Sequence, residues 1–174
     1  VGPPWPAPVE NQAVYDYAGV FKPATVEAVE ATIDQVEART GVEITVYTQV
    51  AGYGISTSQA KADAASLMDA WGVGRRGFDD GIVILFDLDP TRRHGQVFLY
   101  GGSGFTGAYM SQDDLQRVYD DRMLPYLKAG DLDGAILTAI AIIDGNATPA
   151  HRAELESARQ LNAVIGIIGG GVLL

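Results

Sequence analysis

Asp79-Asp80-Gly81-Ile82-Val83-Ile84-Leu85-Phe86 sets two carboxylates and a glycine ahead of five consecutive apolar residues. A strand with one wet face alternates apolar and polar side chains. An unbroken apolar run bounded by turn residues predicts a central strand covered on both faces. Downstream, Leu88-Asp-Pro-Thr-Arg-Arg-His-Gly95 reads as a turn, and Gln96-Val-Phe-Leu-Tyr100 returns as a neighbouring strand. Upstream, Val42-Glu-Ile-Thr-Val-Tyr-Thr-Gln-Val50 alternates and is rich in β-branched residues, which predicts another strand. The cover comes from helices. Pro23 opens one whose apolar residues Val26, Val29, Ile33 and Val36 step by three and four before Gly41 ends it. Ser56 or Ser58 caps a second, carrying Ala60, Ala64, Leu67, Met68 and Trp71. Ser111 with Asp113 and Asp114 starts a third, which Leu124-Pro125 breaks or kinks. Asp131 and Thr148-Pro149 open two more. The expectation is an α/β fold: a three-layer α/β/α sandwich with a small central sheet and helices on both faces.

The 174 residues carry 12 basic and 22 acidic side chains, a formal net charge of −10. Nucleic-acid phosphates and anionic membrane surfaces both demand clustered Lys and Arg, so the charge balance argues against either as partner. Asp outnumbers Glu fifteen to seven, and many Asp residues stand in Gly-rich loops, where short carboxylates cap helices, make turns or take hard cations. The absence of Cys excludes disulfides, thiolate zinc sites and Cys nucleophiles. His94 and His151 fit no metal-ligand spacing and read as solvent-exposed.

Residues 1–12 carry four prolines in their first eight positions and read as an extended linker. With no initiator Met, the chain reads as one from which an upstream segment has been removed. Residues 13–160 form the expected domain. Residues 161–174 end in an apolar, uncharged run that begins at Ala163, and they read as an apolar tail, the first part of a truncated transmembrane helix.

Three segments carry candidate chemistry. Gly102-Ser-Gly-Phe-Thr-Gly107 spells the dinucleotide pattern, but no strand follows the next helix and Asp120 and Asp121 lie inside that helix, so no nucleotide is expected. Trp71-Gly-Val-Gly-Arg-Arg-Gly-Phe-Asp-Asp-Gly81 offers the adjacent carboxylates of Asp79 and Asp80 either to a hard cation or to an ordinary Asp-Gly turn. Asp16, alone among apolar and aromatic neighbours, either caps a turn or meets that pair in a site. Asp87-Leu-Asp89 stands before Pro90 and reads as turn chemistry.

Taken in order, Asp16-x-Ala18-Gly-Val-Phe21, Arg39-Thr-Gly-Val-Glu-Ile-Thr-Val46, Trp71-Gly-Val-Gly, Asp79-Asp-Gly-Ile-Val-Ile-Leu85 and Gly102-Ser-Gly-Phe105 resemble the TPM domain family. That family includes thylakoid-lumen photosystem II repair proteins and many bacterial envelope proteins, and the likeness covers residues 14 to about 145. The resemblance implies a sandwich on the extracytoplasmic side of a membrane, tethered by a segment beyond Leu174. It further implies a Ca²⁺ or other divalent-cation site on Asp16, Asp79 and Asp80. The family's Glu after its Gly-x-Gly is replaced here by Thr106, so modest affinity is expected. Two functions follow: a binding or accessory module for a membrane protein or membrane complex, or a metal-dependent acid phosphatase with Arg75 or Arg76 stabilising charge. The module is the preferred reading, because the resemblance carries a fold and an ion site more firmly than a reaction.

Overall fold

Residues 82–88 form a strand in which all seven side chains are buried, in the computed structural model that describes residues 2–169. This strand, β3 (Ile82–Leu88), is flanked by β2 (Ile44–Val50) and β4 (Gly95–Gly101), and β1 (Val14–Asp16) closes the far edge in the order β1-β2-β3-β4. The first three run parallel and β4 antiparallel. β1 is an addition to the sequence expectation, since three residues are too few to show a period.

Successive side chains of a strand point to opposite faces, so the apolar run of β3 feeds two separate cores. Val83 and Leu85, with Tyr15, Tyr47 and Phe98, pack beneath α2 (Thr57–Trp71), which contributes Ala60, Ala64, Leu67 and Met68. Ile82, Ile84 and Phe86 belong to the larger core on the other face, which α1 (Pro23–Thr40) and α6 (Leu132–Asn146) cover with Val29, Ile33, Val36, Ile136, Ile140 and Ile143. The sandwich therefore has three layers, with one helix on one side and most of the helical mass on the other.

Between β4 and α6 the chain makes α3 (Ser103–Ala108), α4 (Gln112–Arg117), a π-helical segment (Val118–Met123) and α5 (Leu124–Lys128). Ser111 and Asp114 form a capping box at the start of α4. Pro125 does not end the helix: the chain stays helical from Gln112 to Lys128, and the π-wound turn just ahead of Pro125, where the Leu124 N–H donates to the Tyr119 carbonyl, accommodates a residue that has no N–H to give. Of the alternatives for α2, Ser56 is the cap, accepting from the Gln59 N–H at 3.1 Å.

The Pro-rich leader differs from a free linker. Trp5 meets Tyr47 edge-on at 5.3 Å and its indole N–H donates to Ser66 Oγ, while the Trp71 indole N–H donates to the Pro6 carbonyl. At the other end α7 (Pro149–Gly169) runs into the apolar tail, of which residues 170–174 lie outside those described. Among the described residues no helix is long and apolar enough to cross a membrane.

Candidate functional site

The parallel register separates the three carboxylates singled out in the sequence. Asp16 stands opposite Thr48, which stands opposite Phe86, at the carboxyl end of the sheet. Asp79 and Asp80 precede Ile82, at the amino end. Six residues from Asp80 to Phe86 correspond to roughly 20 Å of strand, so one cation cannot take oxygens from all three. The expected common site on Asp16, Asp79 and Asp80 is corrected accordingly. Among the described residues no group of three or more His, Cys, Asp or Glu is placed to hold a metal ion.

Each of the three carboxylates has a local task. Asp16 Oδ1 accepts from the Val20 N–H at 3.1 Å and from Thr48 Oγ1 at 2.6 Å, and Oδ2 accepts from the Phe21 N–H at 2.9 Å. Thr48 Oγ1 in turn accepts from the Ala18 N–H, so Asp16 closes the turn between β1 and α1 and pins it to β2. Replacing a carboxylate with three donors strands those donors in a half-buried turn. Asp16→Ala is expected to cost about 2 kcal/mol in urea unfolding, and millimolar calcium should leave that difference unchanged.

Asp79 takes a left-handed backbone conformation at φ 54°, which Asp tolerates better than bulkier residues. Its carboxylate accepts from the Ser103 N–H at 2.6 Å, and its carbonyl accepts from the N–H groups of Gly104 and Phe105. A glycine-rich turn at a helix start ordinarily takes an external anion. Here the anion is the chain's own Asp79. The two leading glycines are needed for that contact: a Cβ on Gly102 would lie 2.4 Å from the Asp79 carbonyl oxygen, and one on Gly104 1.9 Å from that of Phe78. The glycine pattern thus falls on the start of α3, held by the acidic loop. No nucleotide is needed to account for the pattern.

Asp80 is fully buried. Its Oδ1 accepts from the Arg75 N–H at 2.9 Å, and its Oδ2 lies 2.8 Å from Arg75 Nε and 2.7 Å from the terminal guanidinium nitrogen. The same guanidinium stacks over Phe78 at 4.3 Å and reaches Glu156 of α7 at 3.1 Å, where Arg152 also arrives. Arg159 of α7 donates to the Phe78 carbonyl at 2.8 Å. Arg75 is therefore occupied by Asp80 and Glu156, and α7 is latched across the loop that holds both acids.

A second polar cluster escapes the sequence reading. Asp87 is not a turn residue: β3 runs through it to Leu88, and it is fully buried opposite Gln49. Gln49 Nε2 donates to Asp87 Oδ1 at 2.7 Å, Oδ2 is buried without a hydrogen-bond partner among the described residues, and buried Asp63 of α2 is the neighbouring acid. Burial pushes the Asp87 carboxyl up to about 7, and the neighbouring Asp63 adds to the rise. The available signal is a polar residue at the same register position of two adjacent apolar strands. Asp89, the second acid of that triplet, does stand in the turn, where it accepts from Thr91 Oγ1 at 2.6 Å. His94 is exposed as expected, whereas His151 is half-buried with its ring nitrogen 2.7 Å from the Asn146 carbonyl.

The sequence pattern of the TPM domain matches residues 14–145, three quarters of the chain. The chain belongs to the TPM domain family. The N-terminal domain of a protein from P. gingivalis, 23% identical, superimposes with a TM-score of 0.65 over 78% of this chain and 81% of that one. The N-terminal domain of a Corynebacterium glutamicum protein is 18% identical, with a TM-score of 0.58 over 81% and 83%. The BA42 protein from the psychrophilic bacterium Bizionia argentinensis is 16% identical, with a TM-score of 0.55 over 78% and 86%. These likenesses establish the fold of the TPM domain. Comparison with curated proteins gives no match. The helix α7, which latches the acidic loop, lies beyond the span matched by the TPM pattern.

Proposed function

We propose that this TPM domain is a non-catalytic binding or accessory module on the extracytoplasmic side of a membrane, serving a membrane protein or complex. One observation carries the reading: Asp16, Asp79 and Asp80 are all engaged in holding backbone or Arg75, and they stand at two ends of the sheet. A hydrolase would need a carboxylate or a metal shell aimed at a reacting atom. The apolar, uncharged run over residues 163–174, which begins within α7, supports a tether beyond Leu174. No divalent cation is assigned to the module, because these residues do not form one ion's shell.

The competing reading is a metal-dependent hydrolase of phosphomonoesters built on Asp79. The test is hydrolysis of p-nitrophenyl phosphate, with and without millimolar calcium or magnesium, by the purified domain and by Asp79→Asn. The expected result is release no faster than a buffer and contaminant control in every arm. Turnover that scales with protein and vanishes in a folded Asp79→Asn would overturn the module reading.

A further inference from the structure

The hairpin between β3 and β4 lifts Arg92, Arg93 and His94 into solvent at the carboxyl end of β3. Across from them, Lys128 ends α5. Between these four residues lies a groove of about 700 Å³ whose floor is apolar, with Leu88 and Val97 from the sheet and Leu124, Leu127 and Leu132 from the helical side. Tyr119, carried by the π-helical segment, lines the same groove. Open α/β sheets place ligands outside the carboxyl ends of their parallel strands. The volume falls within the range of about 300–1,000 Å³ common to small-molecule sites.

The charge of this rim runs against the rest of the chain. In a protein of net charge −10, three of the 12 Lys and Arg residues converge here. Among the described residues, Arg92, Arg93 and Lys128 make no ion pair; Lys61, Arg76, Arg122 and Arg159 make none either, but only the three around the groove converge on one apolar cavity. The turn's own acid makes no ion pair with them: Asp89 is buried and accepts from Thr91 Oγ1. Unpaired cations around an apolar floor suit a ligand with an anionic head and an apolar body. A cation would be repelled, and a bare phosphate would leave the leucines unused.

We infer that this groove binds a single-chain anionic amphiphile, its phosphate or carboxylate head held by Arg92, Arg93 and Lys128 and its apolar chain laid over Leu88, Leu124 and Leu127. The inference is independent of whether the Asp79 loop is catalytic, because the groove stands at the opposite end of the sheet.

The experiment is titration of the purified domain with decyl phosphate below its micellar concentration, read by calorimetry and by leucine methyl shifts. Decyl phosphate should bind one-to-one and move methyl signals of the groove leucines, while decyltrimethylammonium should not bind. Inorganic phosphate should bind at least about tenfold more weakly. Arg92→Asn combined with Arg93→Ser should weaken binding about tenfold or more at unchanged melting temperature. Asn is chosen at position 92 because the backbone there has φ 59°. Equal binding of the cationic amphiphile, of inorganic phosphate or by the double variant would overturn the inference. So would association with anionic phospholipid vesicles alone, which would make the rim a membrane-surface contact.

Discussion

Asp80→Ala is expected to lose about 3–5 kcal/mol of folding stability in urea or thermal unfolding, the largest effect among the carboxylates of the amino-end loop. Asp80 is fully buried, and its partner Arg75 is itself largely shielded by Phe78 and Glu156. Deleting the acid orphans the Arg75 N–H and leaves the guanidinium with partly exposed Glu156 as its remaining counter-charge. Asp80→Asn should fall between, since the amide oxygen still accepts from that N–H while the charge stays uncompensated. Asp79→Asn should cost only about 1 kcal/mol, as the loss of one charge-assisted cap at an exposed position. A loss below about 1 kcal/mol in Asp80→Ala would mean that Arg75 finds another partner and that Asp80 does not anchor the loop. Arg75 also joins this loop to Glu156, so hydrogen exchange in α7 should rise in the same variant.

The same loop illustrates what a sequence can and cannot disclose. The run 82–86 is legible because both of its faces are buried and no polar residue within it confuses the period. The helices over 23–40 and 57–71 are legible because their apolar steps and caps agree with each other. The relation of Asp16 to Asp79 is not legible, because it depends on the direction in which strands pair. A carboxylate after one parallel strand and a carboxylate before another stand at opposite ends of a sheet, and the strand that decides this, β1, is three residues long. The Gly-x-Gly pattern at 102–104 is legible as a requirement for close approach. What approaches is settled only by the tertiary contact with Phe78 and Asp79. Asp87 fails for another reason: Pro90 pulls the expected turn forward, while pairing with β2 and β4 carries β3 on to Leu88. The resemblance to a family conveys the fold and the loops that matter, and leaves the task of each side chain to its tertiary contacts.

Asp87→Asn is expected to stabilise the domain above neutral pH by on the order of 3 kcal/mol and to leave its stability nearly unchanged below about pH 4. In the unfolded chain the carboxyl titrates near 3.8, whereas burial raises it to about 7 in the fold. The native state thus holds a proton that the unfolded chain has released across that interval. Stability from this group is complete below about 3.8 and is lost as the pH climbs towards 7, where the buried carboxyl must ionise or stay protonated at increasing cost. The amide of Asn keeps an oxygen for Gln49 Nε2 and offers its N–H₂ to Asp63, so the substitution removes the titration without removing the partners. Other groups tilt the curve the opposite way: hydrogen bonds from Thr91 hold Asp89 low, those from Ser111 and Arg117 hold Asp114 low, and Arg152 and Arg75 do the same for Glu156. Their contributions are lost in acid in both proteins and cancel in the difference. The measurement is therefore the gap between parent and variant in urea unfolding at successive pH values from about 4 to 8. A gap that opens with rising pH and levels off above about 7 supports a protonated Asp87 in the neutral fold. A gap of constant size, or a variant less stable than its parent at the alkaline end, would mean that Asp87 is ionised there and held by groups other than Gln49 and Asp63.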